Sequence, residues 1–85
     1  MSETIKVLVV DDEKLFRDYL LKILGQNREG FCCCGEAKNG RDALEEARSA
    51  HPDIVLADIN MPHMDGLEFS RRIREENPFI EVALL

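Results

Sequence analysis

The amino-acid sequence predicts an α/β fold built on a parallel sheet. Three observations carry this expectation. Four short apolar runs punctuate the 85 residues, and the first, Ile5–Val10, is apolar at almost every position rather than at every second one. That is the pattern of a strand buried on both faces. Between the runs, apolar residues fall three and four apart, the spacing of a helix face. The two kinds of segment alternate as β-α-β-α-β-α-β, which builds βαβ units with right-handed crossovers.

Each element has its own signal. Ile5-Lys6-Val7-Leu8-Val9-Val10 is the first strand, and Asp11-Asp12-Glu13 stops it. From Lys14 to Leu24, Phe16, Leu20, Ile23 and Leu24 fall at i, i+4, i+7 and i+8, one face of a helix. Gly25, Gln26 and Asn27 are expected to end it. A second strand fits Phe31 to Glu36. Asn39 then caps a helix with Asp42 in its first turn, and Ala43, Leu44 and Ala47 form its narrow apolar stripe. Pro52 closes that unit. Ile54-Val55-Leu56-Ala57 is a third buried strand, ending on Asp58. The next loop is restricted by Pro62, and Gly66 permits close backbone approach. Asp65-Gly66-Leu67-Glu68 has the layout of a capping box. The helix it starts runs to about Asn77, where Pro78 stops it. Ile80 to Leu85 is the fourth strand. Residues 1–85 are read as one domain with no second domain. Stopping on an apolar strand, without a covering helix, is unusual for a complete one.

Composition narrows the function. At 45% apolar and 33% charged, the chain suits a folded globular domain. Eleven basic residues against 17 acidic ones give a net charge of −6, which argues against a broad nucleic-acid backbone footprint. No apolar run reaches membrane-spanning length, and the N-terminus lacks the layout of a signal peptide, so the expected location is the cytoplasm, away from membranes. Cys32, Cys33 and Cys34 are consecutive, with no CxxC spacing for zinc. They read as small apolar residues of a buried strand, with a reactive thiol the alternative.

The chemistry concentrates at strand ends, where open parallel α/β sheets bind their ligands. Asp11 and Asp12 end the first strand and Asp58 ends the third. If these strands are neighbours, three acids meet. Unpaired they repel, and at least one is driven towards its protonated form. A hard divalent cation removes the conflict, and oxygen-only ligands suit Mg²⁺ or Mn²⁺. An acidic pair after one strand alone would read more simply as charge opposing the next helix's macrodipole. The acid at the equivalent end of a second buried strand shifts that balance. No GxGxxG or Walker loop supports nucleotide binding, and no Ser-His-Asp arrangement is evident. Met61 and Met64 read as packing residues, His63 as an exposed loop residue and His51 as a helix-end charge. Arg71, Arg72 and Arg74, with Glu75 and Glu76, read as a solvated face.

Val7-Leu8-Val9-Val10-Asp11-Asp12-Glu13 resembles the opening of a bacterial two-component response-regulator receiver domain, of the chemotaxis-regulator-like kind. The stretch from Pro52 to Glu68 is similar to the same family, with an apolar strand, Asp58, then Met61-Pro62 and Met64-Asp65-Gly66. Gly35-Glu36-Ala37, Asn39-Gly40 and Ala43-Leu44 also match it. The resemblance implies a flavodoxin-like doubly wound sheet of strand order 2-1-3-4, with the family's fifth strand and last helices missing from this chain. It implies that a sensor histidine kinase donates a phosphoryl group to Asp58. Asp12 and Asp58 would ligate Mg²⁺ directly with the backbone carbonyl of Asn60, and Asp11 through a water. Asn60 would also face the water that hydrolyses the phosphoryl group. The output would be another domain, of helix-turn-helix DNA-binding type, outside this chain. The chain would gain and slowly lose its own phosphoryl group rather than turn over a substrate.

The family's hydroxyl residue ending the fourth strand, and its lysine and aromatic on the fifth, have no counterpart here. This opens a second expectation: a truncated receiver that binds partners, or associates through its exposed fourth strand, without phosphotransfer. A third reading, a metal-dependent phosphohydrolase with an aspartyl nucleophile, ranks last. That class wants an acid two residues after the nucleophile, and the residue there is Asn60.

Overall fold

Val7, Leu8, Val9 and Val10 are all buried, as a strand covered on both faces requires. The computed structural model describes residues 4–26, 30–61 and 64–85. In chain order its elements are β1 (Ile5–Val10), α1 (Lys14–Gln26), β2 (Phe31–Ala37), α2 (Gly40–Ala50), β3 (Ile54–Ala57), α3 (Gly66–Glu76) and β4 (Glu81–Leu84). The strands are parallel and ordered β2-β1-β3-β4, the doubly wound arrangement expected. β1 is therefore central, between β2 and β3.

The two faces of the sheet are unequally covered. Leu8 and Val10 of β1 and Val55 and Ala57 of β3 join one core with Ala43, Leu44 and Ala47 of α2 and Phe69 and Ile73 of α3. Val7 and Val9 alternate with them and face the other way, where α1 packs on β1 and β2. Of the apolar face predicted for α1, only Leu20 and Leu24 are half-buried, while Phe16 and Ile23 are exposed together with Leu15 and Tyr19. The stripe is narrower than predicted because α1 rests on two strands only, and no other described element covers its flank. Gly25 does not end α1, which continues to Gln26. One glycine near a helix end costs only about 1 kcal/mol. Asn27 lies outside the described residues.

β2 corrects the reading of the cysteines. Cys32 and Cys34 are half-buried and Cys33 is exposed, because β2 is an edge strand with solvent beyond it. Val7 pairs with Cys33 but Leu8 pairs with Gly35, so Cys34 is the extra residue of a bulge. Cys33 donates its thiol to the Gly35 carbonyl at 3.1 Å. Partial burial of the sulfur, with the Glu36 charge beside it, pushes the Cys33 thiol pKa above its ordinary value.

The helix ends match the local chemistry. The Asn39 side chain accepts from the Asp42 amide at 2.8 Å, and Pro52 is buried after the turn. His51 closes α2 in the left-handed region, exposed, its N–H donating to the Ala47 carbonyl. Asn77 caps α3 where Pro78 comes next, and Ile80 is buried just before β4 rather than within it.

Candidate functional site

Strand register brings the acids together. Val10 pairs with Ala57, so the next residues of both strands, Asp11 and Asp58, emerge side by side at the carboxyl edge. The Asp58 amide donates to the Val10 carbonyl at 3.0 Å, and the Asp11 amide to the Ala37 carbonyl of β2 at 3.0 Å. One carboxylate oxygen from each of Asp11, Asp12 and Asp58 lies within 4.8 Å of the others. Asp11 is 4% exposed, Asp58 is half-buried and Asp12 is open to solvent.

Two of these carboxylates are oriented by their own loops. Asp11 Oδ1 accepts from the Glu13 amide at 2.9 Å, and Asp58 Oδ1 accepts from the Asn60 amide at 3.0 Å. Both are Asx turns, in which a side chain takes up a backbone donor two residues on. Asn60 thus stands next to the cluster, with its side chain exposed.

The loop after Asp58 is anchored at its far end by Gly66. The Gly66 amide donates to the Ile59 carbonyl at 3.0 Å. A Cβ on Gly66 would stand only 2.7 Å from the Asp58 carbonyl oxygen and 2.8 Å from Ile59 Cα, so the expected close approach is present. Asp65 caps α3 by accepting from the Glu68 amide at 2.9 Å. Only half of the predicted capping box forms, because the Glu68 carboxylate turns to Arg71 and Arg72 instead. Hydrogen bonds from Arg71 first, and Arg72 second, hold the Glu68 carboxyl below its usual range. Met61 is buried and Met64 packs against the core and against Gly40, so both are packing residues as read. Pro62 and His63 lie outside the described residues. Arg71 also pairs with Glu75, and Arg48 of α2 grips Glu76 of α3 through two hydrogen bonds, all on the solvated surface.

One residue beside the cluster escaped the sequence reading. Arg17, on the first turns of α1, donates from Nη1 to the Asp11 carbonyl at 2.7 Å and from Nε to Glu36 Oε1 at 2.8 Å. Its available signal was a cation near a helix start, where the macrodipole disfavours positive charge.

The fold is of the parallel doubly wound α/β class, in which ligand sites lie beyond the carboxyl ends of the strands, and that is where this chain holds its acidic cluster. Comparison with known proteins gives the family: the response regulator receiver domain matches residues 7–85, and the chain belongs to it. A protein-glutamate methylesterase/protein-glutamine glutaminase of Treponema denticola is 39% identical over 83 residues, covering 98% of this chain and 22% of that protein. Response regulator GacA of Pseudomonas aeruginosa is 42% identical over 81 residues, covering 95% of this chain and 37% of that one. Among solved structures, the response regulator domain of Thermotoga maritima CheB aligns with a TM-score of 0.89 at 34% identity, covering 96% of this chain and 60% of that one. A LuxR-family two-component response regulator from Aurantimonas aligns at 0.88 with 27% identity, covering 96% and 58%. The chain therefore spans well under half the length of these curated relatives.

Proposed function

We propose that this receiver takes a phosphoryl group from a sensor histidine kinase onto Asp58 and so controls an output domain. The observation that carries the reading is the meeting of Asp11, Asp12 and Asp58 within 4.8 Å at the carboxyl edge of a receiver-family sheet. An ionised Asp58 oxygen attacks phosphorus, the bond from phosphorus to the kinase imidazole nitrogen breaks, and an aspartyl phosphate results. A carboxylate needs no general base for this role, and the transfer rests on positioning and charge neutralisation.

The donor set fits a hard divalent cation: oxygen only, triply acidic and partly open to solvent. Asp12 and Asp58 would hold Mg²⁺ (or Mn²⁺) with the Asn60 carbonyl, and Asp11 would act through a water. When bound, the cation neutralises charge gathering on the phosphoryl oxygens. The Asx turn at Asp58 engages one oxygen through the Asn60 amide, which helps fix the nucleophile, and Asn60 would face the water of the later hydrolysis.

The chain itself is proposed to gain and slowly lose a phosphoryl group without substrate turnover, although some relatives carry an enzyme's name. Its output is proposed to be transcription through a helix-turn-helix domain, in keeping with the LuxR-family neighbour, and its location the cytoplasm. Among the described residues, no helix is long and apolar enough to cross a membrane. Incubation with Mg²⁺ and a small-molecule phosphodonor, with intact mass as the readout, tests the reading. One phosphoryl adduct, lost in Asp58→Asn, is expected; a folded chain without an adduct overturns it.

A second reading, association without phosphotransfer, is favoured by the exposure of Leu15 (85%) and Tyr19 (59%) on α1. Light scattering tests it, and a clean monomer at high concentration removes it.

A further inference from the structure

We infer that Arg17 is a positioning residue for the metal site: its guanidinium clamps the Asp11–Asp12 peptide to the end of β2 and thereby sets the affinity for the divalent cation. The inference rests on the proposed Mg²⁺ role of the acidic cluster. The clamp stands on three observations. Arg17 is the least exposed basic side chain of the ion pairs among the described residues, at 12%, where Lys14, Arg48, Arg71 and Arg72 are half exposed or more. It spans two acceptors on two different strands' ends, the Asp11 carbonyl at 2.7 Å and Glu36 Oε1 at 2.8 Å. And it sits near the start of α1, where a cation opposes the macrodipole, so helix stability does not account for it.

Planarity of the peptide bond makes the Asp11 carbonyl a lever. Holding that oxygen fixes the plane that carries the Asp12 amide and aims the Asp12 Cα. Asp12 is exposed and its carboxylate accepts no hydrogen bond among the described residues, so the backbone on which it stands is what places it. On the other side, the Asp11 amide is held by the Ala37 carbonyl and Asp11 Oδ1 by the Glu13 amide. Arg17 completes the hold on the residue from which the first acidic pair departs. Glu36 balances the guanidinium charge, which limits its repulsion of a cation bound nearby. A lysine places one compact charge and cannot span both acceptors in the planar fork of a guanidinium.

Partners that orient metal ligands typically set about 10–100-fold in metal affinity. Mg²⁺ alone, titrated into the full chain and monitored by backbone amide shifts, gives the dissociation constant. Arg17→Met is expected to raise it about tenfold or more, by the same rule, while the circular dichroism spectrum stays that of the folded chain. Without any metal, the Asp12 and Glu13 amides of that variant should exchange with solvent faster than in the wild type. Arg17→Lys should fall between the two, and carries the test alone if Arg17→Met does not fold. Equal or tighter Mg²⁺ binding in a folded Arg17 variant overturns the inference, since it would make the cation a bystander or a competitor. A wild-type chain that binds no Mg²⁺ overturns the metal reading itself, and the inference with it.

Discussion

Gly66→Ala asks whether the Asp58 loop is held by steric contact. The added methyl carbon would start 2.7 Å from the Asp58 carbonyl oxygen, 2.8 Å from Ile59 Cα and 3.0 Å from Leu84 Cδ2. Two of these neighbours are backbone, so neither can swing aside. Reaching ordinary contact requires the loop to retreat by about 0.7 Å, measured from the closest atom. Overpacking of this kind costs about 1–3 kcal/mol. Weakening the bond from the Gly66 amide to the Ile59 carbonyl adds about 1 kcal/mol. The stiffer unfolded chain offsets about 0.4–1 kcal/mol. The net is a loss of roughly 1–3.6 kcal/mol, or about 4–8 °C in Tm for each kcal/mol in a domain of this size.

Gly35→Ala supplies the control. Its Cβ would stand 2.9 Å from Glu46 Oε2, similarly tight in distance, but that atom ends an exposed, flexible side chain that can turn away. Thermal unfolding of both variants by circular dichroism should show a clear drop for Gly66→Ala and a change within about 2–3 °C for Gly35→Ala, a fraction of a kcal/mol on the same scale. Equal midpoints for the two variants would refute the reasoning, because distance alone would then decide and the identity of the neighbour would not.

Other outcomes test other parts of the fold. Phe69 is fully buried between α3 and the sheet, so Phe69→Ala should cost about 3–5 kcal/mol and leave a visibly unstable chain by urea titration; a loss below about 1 kcal/mol would contradict the core assigned to it. Cys33 is exposed but its thiol pKa is raised, chiefly by partial burial of the sulfur, so in a Cys32→Ser, Cys34→Ser background its alkylation should lag behind a free thiol at about pH 8 and catch up at higher pH. The Glu68 and Glu76 carboxyls are held below their usual range by hydrogen bonds from Arg71 with Arg72, and from Arg48. Because the folded pKa is the lower one, their contribution is present above the unfolded value of about 4.3 and is lost as pH falls through the folded value. The urea midpoint should therefore fall on acidification below that point, less steeply in Glu68→Gln and less steeply in high salt, since both carboxylates are on the surface. An unchanged slope in Glu68→Gln would remove the ion pairs from the pH response.

The fold was legible wherever one residue's neighbours are dictated by its own strand or turn. Val7–Val10 had to be a central strand because both faces are apolar, and Asn39 and Asp65 had to stand at helix starts because each precedes a helical run with an acid in its first turn. The acids were legible for a related reason: Asp11 and Asp58 each end an apolar run, and parallel register makes strand ends coincide. The features that could not be read depend on partners distant in sequence. Phe16 and Ile23 carry helix spacing, yet their exposure is decided by how many strands lie under α1. Cys33 looks as apolar as its neighbours, and its exposure comes from the edge position of β2 and the bulge at Cys34. Glu68 fits a capping box by spacing, but two arginines one turn further on compete for it. Arg17 stayed hidden because Glu36 is nineteen residues away in sequence.

A cluster of like charges cannot draw its order from attraction among its own members. In the absence of a cation, Asp11, Asp12 and Asp58 favour spreading apart, so their approach within 4.8 Å has to be imposed from outside. The surrounding residues do this by three unlike means. Register between β1 and β3 sets the strand ends side by side. Gly66 lets α3 lie against the backbone of Asp58, and Gly40 lets α2 lie against Met64 of the same loop. Arg17 fastens the other loop to β2. Arg17 lies outside the apolar core, whereas the register is made by strands that give Leu8, Val10, Val55 and Ala57 to it. Variants of helix residues in the core, such as Phe69→Ala, leave that register in place and should move stability while Mg²⁺ affinity stays intact in whatever fraction remains folded. Variants of Arg17 should move affinity within the folded fraction, and Gly66→Ala should move stability and affinity together, because its neighbour is the backbone of Asp58 itself.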